Sequence, residues 1–527
     1  MTSCVYMKIR WSFAVGVSVP QMAENFQQIS VIFTKKEGRR AKKEVRTIFP
    51  KREERAILLF TQKRKWYPVE QTRHSDEILA TAPIGKLILK LAVPSVAAQI
   101  INMLYNIVDR IYIGHMGADG SLALTGVGVC MPIILIISAF AAFVSSGGAP
   151  RASIAMGAGD NESAEKILGG CFTLQLCISV ALTAVLLIWN RDLLLAFGAS
   201  ENTIDYAVDY MNIYAVGTIF VQLTLGMNAF ITAQGFAKTG MYTVLIGAVA
   251  NIVLDPLFIF VFDMGVSGAA LATIISQGIS CIWVLHFLMK GNSILKLRRE
   301  RMRIDFKLIL PCIALGLAAF VMQSSESIIS VCFNSSLLKY GGDIAVGAMT
   351  ILSSVMQFAM MPLSGISQGA QPILSYNFGA KNASRVKETF KLLLKVCLCY
   401  SALLWGIIML FPGAFASLFT TSAELITFTE GALRIYCAVL FLFGVQIACQ
   451  MTFVSIGNAK CSIIVAVLRK FVLLIPLIYI MPAILADKTM AVYMAEPVAD
   501  FIAVSCTAIL FTIEFRKAMA RLEGGKN

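Results

Sequence analysis

Charge is what this chain has least of. Only 14% of its 527 residues are Asp, Glu, Lys or Arg, against roughly a quarter in an ordinary soluble domain, and His occurs three times. So few charges cannot cover a water-facing surface of this size. The thirteen cysteines include no CxxC pair: the nearest two are Cys397 and Cys399, and the rest are scattered through apolar runs. They read as small buried hydrophobes, with neither a disulfide framework nor a zinc site implied. No GxxxxGK[ST] loop is present, which argues against ATP hydrolysis, and no HExxH or paired Cys/His cluster marks a catalytic centre. The expectation is a protein without a cofactor and without enzymatic activity.

What is there is apolar. Hydrophobic residues make up 57% of the chain and mean hydropathy is +0.74, the composition of an all-α integral membrane protein. β-barrel strands are excluded by runs far longer than about ten residues and by the lack of alternation. The net charge of +14 is concentrated at the start: residues 1–80 hold sixteen Lys and Arg against eight Asp and Glu, a net +8. No recognised binding fold or heptad accompanies that charge, so it argues for neither nucleic acid nor anionic lipid as a partner of the tract; membrane lipid is the expected partner of the apolar spans, and nucleic acid is not expected. The apolar piece from Trp11 to Val19 is too short to span and has no clear cleavage site. The tract reads as a disordered basic extension. A second reading starts the native chain near Val69, with the preceding residues an artefact of gene calling.

From Pro83 onward the pattern is regular, with twelve spans near 86–113, 121–146, 167–189, 206–232, 239–262, 266–289, 308–334, 344–370, 390–411, 425–456, 461–485 and 490–513. The loop between spans six and seven carries Lys290, Lys296, Arg298, Arg299, Arg301, Arg303 and Lys307, and the one after span eight carries Lys381, Arg385 and Lys387. Loops of the other parity hold single cases such as Arg191, Lys339 and Lys488. By the positive-inside rule the basic loops and both termini are cytoplasmic.

An internal repeat organises these spans. Residues 148–164, GAPRASIAMGAGDNESA, resemble 369–384, GAQPILSYNFGAKNAS, 221 positions later, and LDPLFIF at 254–260 resembles LIPLIYI at 474–480. Six spans plus six in the same order predict two lobes, 81–289 and 308–513, joined by a basic linker, 290–307, and followed by a tail, 514–527. Parallel repeats of this kind are a transporter arrangement, with the substrate between lobes that rock against each other.

Within the first span Gln99, Asn102, Asn106 and Asp109 recur at helical steps on one face, with Tyr105 beside them. A carboxylate inside an apolar helix is costly unless it faces protein or a wet cavity, which makes it a functional candidate. Span seven has its own stripe, Gln323, Glu326, Ser327, Ser330 and Asn334. Both stripes are expected to face a central cavity, although either acid, capped by an amide or paired with a base, would hold its lobe together without titrating. Span five adds Asn251 and Asp255, one turn apart, and Pro256 frees a backbone carbonyl one turn earlier. Carboxylate, amide and carbonyl oxygens together suit a proton or a sodium ion; the plainer alternative has Asp255 meeting water at the end of its span. Asp109, Asp255 and Asn251 are the expected cation site. Gln222, Asn228, Gln277, Gln357, Gln368, Gln446 and Gln450 line a substrate path or tie helices together. Arg469 and Lys470 either counter a cavity acid or, as the safer reading, snorkel to the cytoplasmic surface.

The runs LYNIVDRIYIGHMG, GAPRASIAMGAGD, NIVLDPLFIFVFDMGVSGAALAT and ISQGAQPILSYNFGAKN together resemble the MATE family of multidrug and toxic compound extrusion transporters, in its MepA-like bacterial branch, over about residues 80–515. The resemblance implies twelve helices in two pseudo-symmetric six-helix lobes, and export of small cationic or amphipathic compounds by alternating access in exchange for protons or sodium ions. It also implies a monomer in the bacterial cell membrane. The family's first-helix acid falls on Asp109 and the acid of its NIxLDP segment on Asp255, beside Asn251. The further acid that some branches carry in the tenth helix has no counterpart here, where Gln446 and Gln450 stand. Two rival readings are a lipid-linked precursor flippase, which needs a strongly basic cavity, and a membrane-embedded enzyme or receptor, which fits the two-lobe repeat poorly.

Overall fold

The computed structural model describes residues 78–116 and 120–524; the side chains of residues 120 and 121 are left aside. Residues 1–77 of the extension expected over 1–80, and the proposed start near Val69, lie outside the described residues; its last three, 78–80, are helical with Leu79 buried, a correction to the disordered reading there. The described residues are helical almost throughout. The first lobe comprises α1 (Ile84–Gly114), α2 (Gly120–Gly157), α3 (Asn161–Ala196), α4 (Ile204–Ala233), α5 (Ala237–Val261) and α6 (Gly265–Lys290). One helical stretch, Phe306–Gly379, is 74 residues long, about 110 Å at 1.5 Å per residue, far more than one bilayer crossing needs. It folds back at Gly342, whose φ of 63° belongs to the left-handed region that glycine enters without penalty. It is therefore two spans, α7 (306–341) and α8 (343–379). Then come α9 (Ala383–Leu410), α10 (Ala423–Tyr436 continued by Leu440–Ser455 across a 45° bend), α11 (Ala459–Ile484) and α12 (Lys488–Gly524).

All twelve expected spans are present, and their ends are where they differ. α2 runs to Gly157 and α3 starts at Asn161, well past the apolar runs, although GAPRASIAMG at 148–157 holds two glycines and a proline, poor helix formers; close packing on other helices holds this stretch, and a local cap opens α3. The Ser163 amide donates to Asp160 Oδ1 at 2.9 Å, and 222 positions later the Arg385 amide donates to Asn382 Oδ1 at 3.2 Å. These bonds satisfy helix-start N–H groups that have no partner in the turn. At Asp160 hydrogen bonding by the Ser163 side chain, and then by its amide, holds the carboxyl below its ordinary range. α12 continues to Gly524, so the stretch expected as a tail from residue 514 is helical. In α5 the turns Leu257–Val261 widen to π geometry just after Pro256, and in α11 the turns Leu468–Leu474 do so just before Pro476. Proline withholds an N–H from the helical ladder, and a widened turn is one way to absorb the mismatch.

The lobes meet at crossings where glycine lets backbones touch. A side chain at Gly157 would run into the Tyr376 carbonyl, and one at Gly379 into the Ile154 carbonyl. The two contacts are reciprocal at a spacing of 222, one more than the 221 that aligns Gly148 with Gly369. Gly147 and Gly316 make the same kind of approach between α2 and α7, against Cys312 and Phe143, while Gly365 and Gly369 of α8 rest on Val96 and Ala92 of α1. The string Gly365-Ile366-Ser367-Gln368-Gly369 has the GxSxG form, yet it lies inside α8 and Ser367 donates to the Ser364 carbonyl at 2.9 Å; it has no strand-to-helix elbow. Each lobe's first helix also leans on the other lobe. Ile309 and Cys312 of α7 are buried with Leu168 and Phe230 of the first lobe, and Asn377 and Arg385 donate to the Leu79 carbonyl just before α1.

Candidate functional site

α1 packs on α5, and this contact brings the expected cation residues of the first lobe together. Asp255 and Asn251 are buried, 0% and 2% exposed, and the Asn251 amide donates to Asp255 Oδ2 at 2.5 Å. Asp109, half-buried on α1, lies within Coulombic reach of Asp255, and Tyr105 within reach of both. Buried Tyr210 of α4, also close to Asp109, stacks on Tyr214 with ring centroids 6.0 Å apart. Neither acid makes an ion pair among the described residues; Arg110 is exposed beside Asp109. Asp255 does not meet water at the end of its span, the plainer of the two readings.

Three buried oxygens here have no hydrogen-bond partner: Asp109 Oδ1, Asp255 Oδ1 and Asn251 Oδ1. A buried acceptor left unpaired costs on the order of 1–3 kcal/mol, more if charged, and three in one neighbourhood are a concentrated cost. The donor set is all oxygen, as a proton or a hard cation such as sodium requires, so these residues fit such an ion as cargo. Groups of three or more His, Cys, Asp or Glu able to hold a metal are absent among the described residues; Asn251 is the third oxygen donor instead.

The remaining polar stripe is looser. Gln99 and Asn106 are half-buried and Asn102 is exposed, and the Asn106 amide donates to the Asn102 carbonyl at 2.6 Å. Gln323 is half-buried and Glu326 exposed on α7. Gln446 is 3% exposed with an unpartnered Oε1. Of the other amides, Gln222 bonds Gln175 and the Ile137 carbonyl, Asn228 donates to the Gly240 carbonyl and Gln450 to Ser462 Oγ. These three tie helices together.

At α11 the second lobe follows the less favoured of the two readings of Arg469 and Lys470, the one in which they counter acids. Arg469 and Lys470 do not snorkel: they are 7% and 5% exposed. Arg469 Nε donates to Asp500 Oδ1 at 2.6 Å and Nη2 to Glu496 Oε1 at 3.1 Å, while its guanidinium lies 4.6 Å from the centre of the Phe443 ring. Lys470 Nζ is 2.8 Å from Glu326 Oε1. A buried cation is tolerated when acids of good geometry surround it, and α12 supplies two of them one turn apart in AEPVADF. Sequence reasoning missed Glu496 and Asp500, although their i, i+4 spacing inside an apolar helix is the same signal that singles out Asn251 and Asp255. The pairing of Glu326 with Lys470 is the second of the two readings open to that acid.

Comparison with known proteins agrees with the two-lobe fold. The MatE family model matches residues 94–257 and 318–480, once in each lobe. The chain is 24% identical over 422 residues to a multidrug export protein, MepA, of Staphylococcus haemolyticus, covering 80% of this chain and 92% of that protein. It is 22% identical to MepA of Staphylococcus aureus, over 76% of this chain and 88% of the relative. A crystal structure of MATE in the bent conformation superposes with a TM-score of 0.79 at 22% identity, covering 86% of this chain and 98% of the other. At that identity the likeness carries the fold.

Proposed function

Because the chain belongs to the MatE family, whose members are transporters and not enzymes, we propose that it exports small cationic or amphipathic drugs and toxins across a bacterial cell membrane, exchanging them for protons or sodium ions by alternating access. Drug export is supported by the resemblance to the MepA multidrug export proteins. Ion coupling rests on one observation above all, the three unpartnered buried oxygens of Asp109, Asp255 and Asn251.

An ion entering this site satisfies those oxygens and neutralises part of the charge that α1 and α5 share. The gain is greatest when the two helices close around the ion, so ion binding biases α1 between two positions, and its release restores the first. Tyr105 and Tyr210 line the same neighbourhood and limit water. Gln99, Asn102 and Asn106 continue the polar face of α1, and with Gln323, Glu326 and Gln446 they form the path on which a cationic compound is held. The basic loops and both termini are assigned to the cytoplasm, membrane lipid surrounds the spans, and a single chain is the working unit. A flippase for phosphate-bearing lipid precursors would need a net basic interior, whereas Arg469 and Lys470 are outnumbered by Glu326, Glu496 and Asp500.

The test is efflux of a cationic dye from vesicles containing the purified protein, under pH and sodium gradients imposed separately. One gradient is expected to drive efflux, and Asp109→Asn, folded as judged by size-exclusion profile and thermal unfolding, is expected to abolish it. Full efflux by the folded variant removes Asp109 from the mechanism.

A further inference from the structure

The two lobes treat one corresponding groove in opposite ways. In the first lobe the linker turns back after α6, and Leu295 and Leu297 bury themselves in one cluster with Leu168 of α3, Met227 of α4 and Leu288 of α6. Above them Glu165 of α3 receives Arg301 at 2.6 Å, Arg298 at 3.2 Å and the Lys296 amide at 3.0 Å. The groove is filled by leucine and its rim is neutralised. In the second lobe Lys387 stands 222 positions after Glu165 and pairs with Glu523 at 2.6 Å. There α12 stays helical to Gly524, and among the described residues no segment drops in. A cavity of about 570 Å³ lies open between α9, α10 and α12.

That cavity is amphipathic along its length. Lys391 and Arg516 line its outer part, both are exposed, and neither forms an ion pair among the described residues. Behind them an aromatic wall is built by Phe390, Phe511 and Phe515, with centroids 4.4 Å apart for Phe390–Phe511 and 4.9 Å for Phe511–Phe515. Leu394 and Val445 line the groove further in; at 1.5 Å per residue Leu394 is about 10 Å deeper than Lys387. We propose that this groove binds one anionic glycerophospholipid of the leaflet bordering the basic end, its phosphate held by Lys391 and Arg516 and an acyl chain laid along the phenylalanine wall toward Val445.

The charge pattern selects this occupant. Two unpaired cations repel a cationic drug, and they equally repel the chain's own first 80 residues with their net charge of +8. Free phosphate satisfies the cations and leaves the aromatic wall unused. An anionic lipid supplies both what Leu295 and Leu297 supply in the first lobe and the counter-charge that Glu165 finds in Arg298 and Arg301. Basic side chains at a membrane surface attract anionic headgroups in this way.

Native mass spectrometry of the purified, delipidated full chain tests the assignment, with dioleoyl phosphatidylglycerol, dioleoyl phosphatidylcholine or inorganic phosphate added separately. The expected result is one retained phosphatidylglycerol per chain, preferred about tenfold over phosphatidylcholine. Lys391→Gln with Arg516→Gln brings the two lipids to parity, and Val445→Trp, which fills the groove and keeps its cations, lowers retention of both. Lys166→Gln, at the basic end of the first lobe, changes neither. The proposal is overturned if the double variant keeps the parent's preference, if Val445→Trp retains lipid as the parent does, or if inorganic phosphate binds the parent and displaces the lipid.

Discussion

The fifth helices of the two lobes, α5 and α11, occupy corresponding places and carry opposite charge. α5 presents Asn251 and Asp255 with acceptor oxygens to spare, whereas α11 presents Arg469 and Lys470, each already committed to an acid. Both helices widen into π turns beside a proline, so the backbone device is shared and the chemistry differs. Unpaired acceptors leave the first lobe something to bind. The second lobe pairs both of its buried cations with acids, leaving one oxygen of that cluster, Glu496 Oε2, without a partner. Under the proposed function, this asymmetry within a repeated fold assigns ion exchange to the first lobe and anchoring to the second.

The largest expected effect comes from removing the acid that makes the first lobe different. Asp255→Asn should reduce gradient-driven dye efflux to the level of protein-free vesicles while thermal unfolding of the purified protein stays near the parent's. Glu326→Gln in the second lobe should keep coupling and weaken dye affinity, with a lowered unfolding temperature because buried Lys470 loses its acid. Equal loss from both substitutions would erase the division of labour.

Next in size is the anchor itself. Arg469→Ala leaves Glu496 and Asp500 buried without their cation and should cost about 3–5 kcal/mol of stability, read as a lowered unfolding temperature. Adding Glu496→Gln and Asp500→Asn should recover much of it. An unchanged unfolding temperature in the single variant would mean that the cluster does not hold the lobe.

A smaller effect is expected where the lobes touch. Gly147→Ala places a methyl against the Cys312 carbonyl and should cost roughly 1–3 kcal/mol through overpacking, with Gly316→Ala similar; a shift from only one of them would show that the crossing is not shared. The smallest effect distinguishes the caps. Asp160→Ala and Asn382→Ala should each cost about 1 kcal/mol. Only the first cap titrates: its carboxyl is held below the ordinary range, so its contribution is present above that range and is lost as pH falls through the lowered value. Unfolding temperatures followed into acid should show the Asp160→Ala difference shrinking and the Asn382→Ala difference constant.

Much of the fold is legible in the sequence for a physical reason. A span must be apolar for about twenty residues, so the bilayer writes each helix into composition, and all twelve can be counted. A buried acid must repay its cost, so Asp109 and Asp255 stand out. Helix ends are less legible, because packing between helices, as at Gly148 and Gly157, continues a helix where local propensity would end it. Charge pairs between helices are least legible. Arg469 looks like a surface residue until Glu496 and Asp500 are brought against it, and nothing local in α11 announces the partner on α12. The groove beside Lys391 is hidden for the same reason, since it exists only where three helices meet.

The reciprocal contacts at Gly157 and Gly379 have a mechanical consequence. Where backbone rests on backbone, no side chain is threaded between the helices and no rotamer has to change when one turns on the other. Such a crossing works as a bearing rather than a gear: it fixes the distance between its two surfaces while leaving the angle to be set elsewhere.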